Sequence, residues 1–231
     1  PDGTTVSFLK DGDLWLLRRD TGILERVTTV GEPPIGVVPL GTYYRPDVEI
    51  GPATWGGPPS YAWSPDGRSI AVHYVDRRHV ATMSFPYYLG EAPMMHTLRR
   101  SRPGESNEAR TIGVYHLADR TLRLLDLPQT TEMRVVSFAW SPGGTLLIDR
   151  ESDDAVDRRL HLVDPATWTV REIWHDHRET RIYNDIASAW HADGHSILLS
   201  ADIDDRYRLY LFTPHEDIDV AAPSASSAST S

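Results

Sequence analysis

The feature that most constrains this chain is a hairpin that recurs along it. An aromatic residue, two small or polar residues, a turn containing Gly and an apolar strand follow one another at Trp63-Ser64-Pro65-Asp66-Gly67-Arg68-Ser69-Ile70-Ala71-Val72. The pattern returns at Trp140-Ser141-Pro142-Gly143-Gly144-Thr145-Leu146-Leu147-Ile148 and, more worn, at Trp190-His191-Ala192-Asp193-Gly194-His195-Ser196-Ile197-Leu198-Leu199. A fourth copy, Pro1-Asp2-Gly3-Thr4-Thr5-Val6-Ser7-Phe8, lacks its aromatic. Pro presets φ for the second position of a turn, Asp bonds its own backbone and Gly takes the positive φ. The strand before the turn brings an aromatic to the core, and the strand after it is aliphatic or β-branched. A repeated unit of this kind cannot bury its apolar face alone, so neighbouring copies must pack on one another.

Each copy is followed by a second alternating strand that ends in a polar turn: Asp13–Leu17, Gly113–Leu117, Leu160–Asp164 and Arg208–Phe212. Asp20-Thr21-Gly22 and Asp164-Pro165-Ala166-Thr167 then turn the chain into a further short strand, Glu25–Val27 and Val170–Ile173. Strand, turn, strand, turn, strand is the unit of a β-propeller blade. No window shows a convincing helical period, so the fold class is all-β. The spacing of the copies is uneven, which places long insertions at 33–59 and 77–110; insertions of this kind map to loops on one face. The chain begins inside a hairpin, at Pro1 and not at Met, which reads as a processed or cut chain. Residues 1–219 form the propeller part; residues 220–231, Ser- and Ala-rich without periodicity, read as a disordered tail.

Composition narrows the function classes. The formal net charge of −10 argues against binding a phosphate backbone. With no Cys, disulfide and thiolate chemistry are excluded. No apolar run approaches the roughly 20 residues that span a bilayer. No Gly-x-Ser-x-Gly elbow exists to expose a serine nucleophile beside backbone oxyanion donors, so the chain has no catalytic residues of that kind. No cofactor or metal is implied. His175-Asp176-His177 lacks a third ligand at family spacing, and Asp202-Ile203-Asp204-Asp205 lacks the Gly and closing Glu of a calcium loop, so both read as turn residues. Asp153–Asp157 reads as an acidic hairpin tip. Arg99-Arg100-Ser101-Arg102, the one basic cluster, reads as a loop paired to Glu105 and Glu108.

In order and content these segments resemble the N-terminal propeller of the dipeptidyl peptidase IV branch of the prolyl oligopeptidase family. The Trp-Ser-Pro repeat alone is weak support, since many bacterial propellers carry it. The stronger match is the run from Ser69–Asp76 through Phe85-Pro86-Tyr87-Tyr88-Leu89-Gly90 and Leu98–Asn107 to Ile112–Leu117, with Ser101-Arg102 standing where the family has an aromatic before Pro. The likeness covers about residues 1–212. It implies about three to four four-stranded blades of a larger, eight-bladed propeller, followed in the parent protein by an α/β-hydrolase domain with Ser, Asp and His that this sequence does not contain.

The resemblance also implies a role. The propeller of such serine exopeptidases gates the active site and offers an adjacent Glu pair to the substrate's amino terminus. In the corresponding stretch, Thr42-Tyr43-Tyr44-Arg45-Pro46-Asp47-Val48-Glu49-Ile50, there is no Glu-Glu. Asp47 and Glu49 are the substrate-binding candidates, because i and i+2 side chains of an extended segment share a face. The implied partner is a peptide substrate, reached through the absent hydrolase domain, with a homodimer of the parent protein, no nucleic acid and no membrane span. A periplasmic or secreted setting is favoured. The alternative reading is a stand-alone bacterial propeller that acts as a protein-binding scaffold.

Overall fold

The structure is a computed structural model; it describes residues 3–34, 46–51, 58–88, 92–128, 132–164, 166–182, 188–203 and 206–214, and every regular element among them is a strand. The tail at 220–231 and the aromatic stretch Thr42–Arg45 lie outside the described residues. Among the described residues no helix is long and apolar enough to cross a membrane.

The strands form successive antiparallel sheets in chain order. Strands β1 (Thr5–Lys10), β2 (Asp13–Arg18) and β3 (Leu24–Arg26) make a three-stranded meander. The second sheet begins with β4 (Val48–Ile50), β5 (Tyr61–Trp63) and β6 (Ser69–Asp76). The chain then leaves it for a separate two-stranded hairpin, β7 (Thr82–Tyr87) and β8 (Met94–Arg99), and returns as β9 (Ala109–His116) and β10 (Thr121–Leu124). The third sheet, β11 (Met133–Trp140), β12 (Leu146–Ser152), β13 (Asp157–Asp164) and β14 (Thr169–His177), is a plain four-stranded meander. The fourth contains β15 (Ser188–Trp190), β16 (Ile197–Ile203) and β17 (Arg206–Phe212). These are blades of a β-propeller, and the neighbouring first strands β5, β11 and β15 stand side by side at its inner edge.

The second sheet departs from the plain meander in one respect. β4 and β5 pair with different stretches of the same edge of β6, Val48–Ile50 opposite Tyr74–Asp76 and Tyr61–Trp63 opposite Ile70–Val72. The inner strand of this blade is therefore split by the residues between Ile50 and Tyr61. The first insertion read from the sequence belongs partly to the sheet itself.

The turn chemistry follows the sequence. Ser64 Oγ donates to Asp66 Oδ1 at 2.7 Å, the Arg68 amide donates to the same oxygen, and Gly67 closes the turn at φ +69°. In the third sheet Gly144 plays that part at φ +89°, with the Thr145 amide donating to Ser141 Oγ. A side chain at either glycine would meet the steric cost of the left-handed region.

The apolar core is a row of seams between sheets. Leu14, Leu16, Ile50, Ile70 and Val72 lie between the first and second. Ala71, Ile112, Val114, Phe138, Leu146, Ile148 and Val163 lie between the second and third. Leu147, Leu160, Leu162, Trp174, Ile197 and Leu199 lie between the third and fourth. Adjacent residues Ile70 and Ala71, or Leu146 and Leu147, feed opposite seams because successive side chains of a strand point to opposite faces.

The repeated tryptophans are partly buried against these seams and do not sit at their centres. Each indole N–H reaches into the preceding blade: Trp140 Nε1 donates to the Ala62 carbonyl and Trp190 Nε1 to the Ala139 carbonyl, both at 3.0 Å. Trp63 Nε1 donates to Ser7 Oγ at 2.9 Å. Each acceptor carbonyl belongs to the residue before the preceding tryptophan, so the contact repeats with the sequence. Trp140→Ala is expected to cost about 3 kcal/mol and Trp140→Phe about 1 kcal/mol through the stranded carbonyl. Denaturant melts followed by far-UV circular dichroism check both; equal losses for the two variants would deny the indole bond its part.

Candidate functional site

The two acids singled out from the sequence lie on the split inner strand. Asp47 immediately precedes β4 and Glu49 is its middle residue, at 8% and 7% exposure. Three sets of backbone bonds hold this segment. It pairs with β6 on one side. The Asp47 amide donates to the Glu32 carbonyl and the Glu32 amide to the Val48 carbonyl. The Ile50 amide donates to the Gly12 carbonyl, in the turn between β1 and β2 of the preceding blade. Carboxylates fixed this way and withdrawn from water need cationic or hydrogen-bonding partners.

The structure supplies arginines. Arg77 Nη1 donates to Glu49 Oε1 at 2.7 Å and to the Pro46 carbonyl at 2.8 Å. Its Nε lies 3.9 Å from Glu108 Oε2, and Glu108 Oε1 accepts from Arg110 Nη2 at 2.7 Å. Arg99 Nε lies 2.8 Å from Asp47 Oδ2 while its Nη1 donates to the Val80 carbonyl. Arg77 thus joins Glu49 to Glu108 and Arg110 in a chain of alternating sign, and Asp47, paired with Arg99, is tied to it by the Arg77 amide, which donates to the Asp47 carbonyl. An outer rim continues the alternation, since Arg78 bridges Asp76 at 2.6 Å and Glu32 at 3.0 Å.

The arginine and glutamate partners were not among the residues picked from the sequence as site members. Their signal lay in the insertion boundaries: Arg77, Glu108 and Arg110 flank the stretch that leaves and rejoins the second sheet, and Arg99 ends β8. Of the basic cluster, Arg102 meets Glu105 as expected, at 3.7 Å, but Arg99 turns to Asp47 and away from those acids.

His73 stands beside this network on β6. It is buried, and among the described residues neither ring nitrogen has a hydrogen-bond partner. Gly51 makes room for it, because a Cβ there would fall 2.9 Å from His73 Nδ1. Burial first, then the nearby Arg110 and Arg77 guanidinium groups, outweigh Glu108 and push its pKa down to about 4.

The other acidic and histidine motifs resolve into structural roles. His175 and His177 lie at the end of strand β14 and not in a turn; both face Asp157, at 2.6 and 3.2 Å from its Oδ1. Residues 153–156 form the turn between β12 and β13, and Asp157 opens the second of these. Asp202 and Ile203 close β16, whereas Asp204 and Asp205 lie outside the described residues. Among the described residues no group of three His, Asp or Glu is arranged to hold a metal ion.

Comparison with known proteins agrees with this architecture. The family model for the dipeptidyl peptidase IV (DPP IV) N-terminal region matches residues 1–222. Among solved structures, the dipeptidyl peptidase 4 of Porphyromonas gingivalis superposes with a TM-score of 0.73 at 20% identity, over 92% of this chain and 30% of that one. A Bacteroides ovatus protein assigned by name to dipeptidyl aminopeptidase IV gives 0.62 at 13% identity, over 92% of this chain and 34% of its own. The chain thus spans about a third of the length of these relatives. No curated protein matches the sequence.

Two outcomes are expected. Arg77→Met leaves Glu49 and Glu108 buried beside a lost cation and should cost about 3–5 kcal/mol, measured by denaturant unfolding at neutral pH. For His73 the folded-state pKa lies below that of the unfolded chain, so the unfolded state takes up the proton first as pH falls. Stability should therefore drop between about pH 6.5 and pH 4, by on the order of 2 kcal/mol. His73→Leu should flatten that part of the pH profile; an unchanged slope would show that other groups set it.

Proposed function

Because the chain belongs to the family of dipeptidyl peptidase IV N-terminal regions over residues 1–222, we propose that it forms the non-catalytic propeller part of a serine exopeptidase. In that reading the propeller gates access to the active site and helps to hold the substrate's amino terminus, and the acyl transfer is carried out by an α/β-hydrolase domain of the parent protein. The observation that carries the binding role is the placement of two buried carboxylates, Asp47 and Glu49, each on its own arginine, on the split inner strand.

The chemistry suits an ammonium group. A substrate amino terminus presents three N–H donors, and carboxylates are its natural acceptors. Asp47 and Glu49 already receive arginine donors, but a carboxylate has about four lone-pair sites, so an arginine-bound acid still accepts from an ammonium. The arginines fix the two acids in direction, and so lower the ordering cost of binding. The alternation of charge also limits what is held there. A naked diacid would attract any cation, whereas a near-neutral network favours a ligand that brings both an ammonium donor and acceptor groups such as a peptide carbonyl.

The test uses the parent protein with its downstream domain. Glu49→Gln and Asp47→Asn should raise KM for a peptide with a free amino terminus roughly tenfold, equivalent to about 1.4 kcal/mol of lost binding. They should leave KM for an amino-blocked ester substrate within about twofold on the same scale. Thermal melts of each variant separate a binding loss from a folding loss. Equal effects on free and blocked substrates would remove the amino-terminus role. Turnover by the present chain alone, blocked by a serine-directed inhibitor, would remove the non-catalytic assignment.

A further inference from the structure

The seam between the first and second sheets opens into a cavity at one end. Along one face of β2, Leu14, Leu16 and Arg18 alternate toward the second blade. Leu14 and Leu16 are sealed in the aliphatic seam with Ile50, Ile70 and Val72. Arg18 lies beyond them, opposite Thr5, where β2 ends. On the second blade Tyr115 stands opposite Ile70, near the end of β9, and Leu117 follows it. Asp47 and Glu49 sit beside the other end of β6, where β4 pairs with Tyr74–Asp76. The cavity between Arg18 and Tyr115 therefore opens on the opposite end of the blades from the two acids. It holds about 360 Å³, the size of a small-molecule site.

Tyr115 lines this cavity at 3% exposure, yet among the described residues its hydroxyl has no hydrogen-bond partner. Buried hydroxyls are ordinarily paired, so an unfilled one in a cavity wall calls for a partner. Burial, then the Glu25 carboxylate, raise the pKa of the phenol against the pull of Arg120, which puts its oxygen within reach of that pair's charges. Glu25 and Arg120 join each other at 2.5 Å across the two blades, from β3 to the turn after β9. Arg18 is the second unfilled group, since no acid among the described residues pairs with it. Asp20, also in the lining, accepts the Thr21 amide at 2.9 Å and has further lone pairs to offer. Leu16, Val27 and Leu117 give the same cavity an apolar side.

From the unfilled phenol and guanidinium beside an accepting carboxylate, we propose that this cavity binds a small zwitterion of the amino-acid class. Its carboxylate takes the Arg18 guanidinium and the Tyr115 hydroxyl, both donors suited to an oxyanion. Its ammonium takes Asp20, and an aliphatic side chain rests on Leu16, Val27 and Leu117. The two-signed lining sets the class. Asp20 and Glu25 disfavour a dianion, and Arg18 and Arg120 disfavour a simple amine. The ligand would touch both blades and so extend the aliphatic seam with polar contacts. This site is separate from the Asp47–Glu49 network and does not depend on the peptidase reading.

The probe is L-leucine, titrated into the chain and followed by saturation-transfer NMR and calorimetry. A dissociation constant on the order of 1 mM is expected for a ligand of this size. 4-Methylpentanoate lacks the ammonium and 3-methylbutylamine lacks the carboxylate; each should bind roughly tenfold more weakly, because charged hydrogen bonds go unmade. Tyr115→Phe removes only an unpartnered hydroxyl, so it should melt with the parent chain while losing roughly tenfold in leucine affinity. Arg18→Gln, on the exposed rim, should fold normally and lose at least as much. Should Tyr115→Phe melt clearly earlier, its hydroxyl serves the fold and not a ligand, and the proposal falls. No binding of leucine, equal binding of either half-ligand, or full affinity in Arg18→Gln would each overturn it as well.

Discussion

The hydrogen bond from each repeat tryptophan to the blade before it is the constraint on which the rest of this fold depends. β5 and β11 are edge strands, and an edge strand turns half its carbonyl groups away from its own sheet. Where blades meet at the inner edge those carbonyls are part-buried and take another donor. Trp140 and Trp190 supply one each, to Ala62 and Ala139. The same indole covers the rim of the aliphatic seam beneath it. A single residue type thus joins the polar requirement of the sheet edge to the apolar requirement of the sheet face, and this explains why the aromatic recurs at one place relative to the turn.

Between blades the seams are apolar in the middle and charged toward one end. At that end of the second blade, Glu49, Arg77, Glu108 and Arg110 alternate in sign beside the Asp47–Arg99 pair, and on the facing side of the third blade Arg150, Arg159, Glu172 and His161 continue the polar stretch. Buried charges of this kind add little net stability compared with well-packed aliphatic residues. Their effect is on direction: an ion pair with short N–O distances fixes two side chains relative to one another in a way that a leucine cannot. The third blade adds a fully buried example on its other face, where Arg158 pairs with Asp149 and Ser188 Oγ of the fourth blade donates to Asp149 at 2.7 Å.

The all-β class, the turns and the strand after each turn were legible because their signals are local. Pro, Asp and Gly at set offsets dictate backbone angles within four residues, and β2, β9, β13 and β17 all fall on the alternating segments read from the sequence. The family was legible for a related reason, since the order of segments survives even where identity to solved relatives is 13–20%. The site was half legible. Asp47 and Glu49 could be picked by residue type and position, but Arg77 is 28 residues from Glu49 and Arg99 is 52 residues from Asp47. No local rule connects residues that meet only because a strand is split and a hairpin is inserted. The same limit hid Arg150, whose neighbours in sequence, Asp149 and Glu151, point to the opposite face and pair with Arg158 and Arg134. In sequence it reads as one charge among balancing charges; in the sheet it faces away from both neighbours and stands opposite Arg159.

The two insertions of the second blade are one structural feature. The first contains β4, half of the inner strand, and the second contains the β7–β8 hairpin, which leaves from the end of β6. Asp47 and Glu49 belong to the first, while Arg77, Arg99 and Glu108 begin, line and close the second. The base of the outer hairpin is thereby tied to the inner edge of the blade through side chains, with β6 between them. A ligand that altered the hydrogen bonding of Asp47 at the inner edge would act directly on Arg99, the last residue of β8, without any change in the sheet. Coupling of that kind needs only the differential contacts of one carboxylate. The aliphatic seams hold the blades in register, and the charged network decides how this blade's two excursions are set against each other.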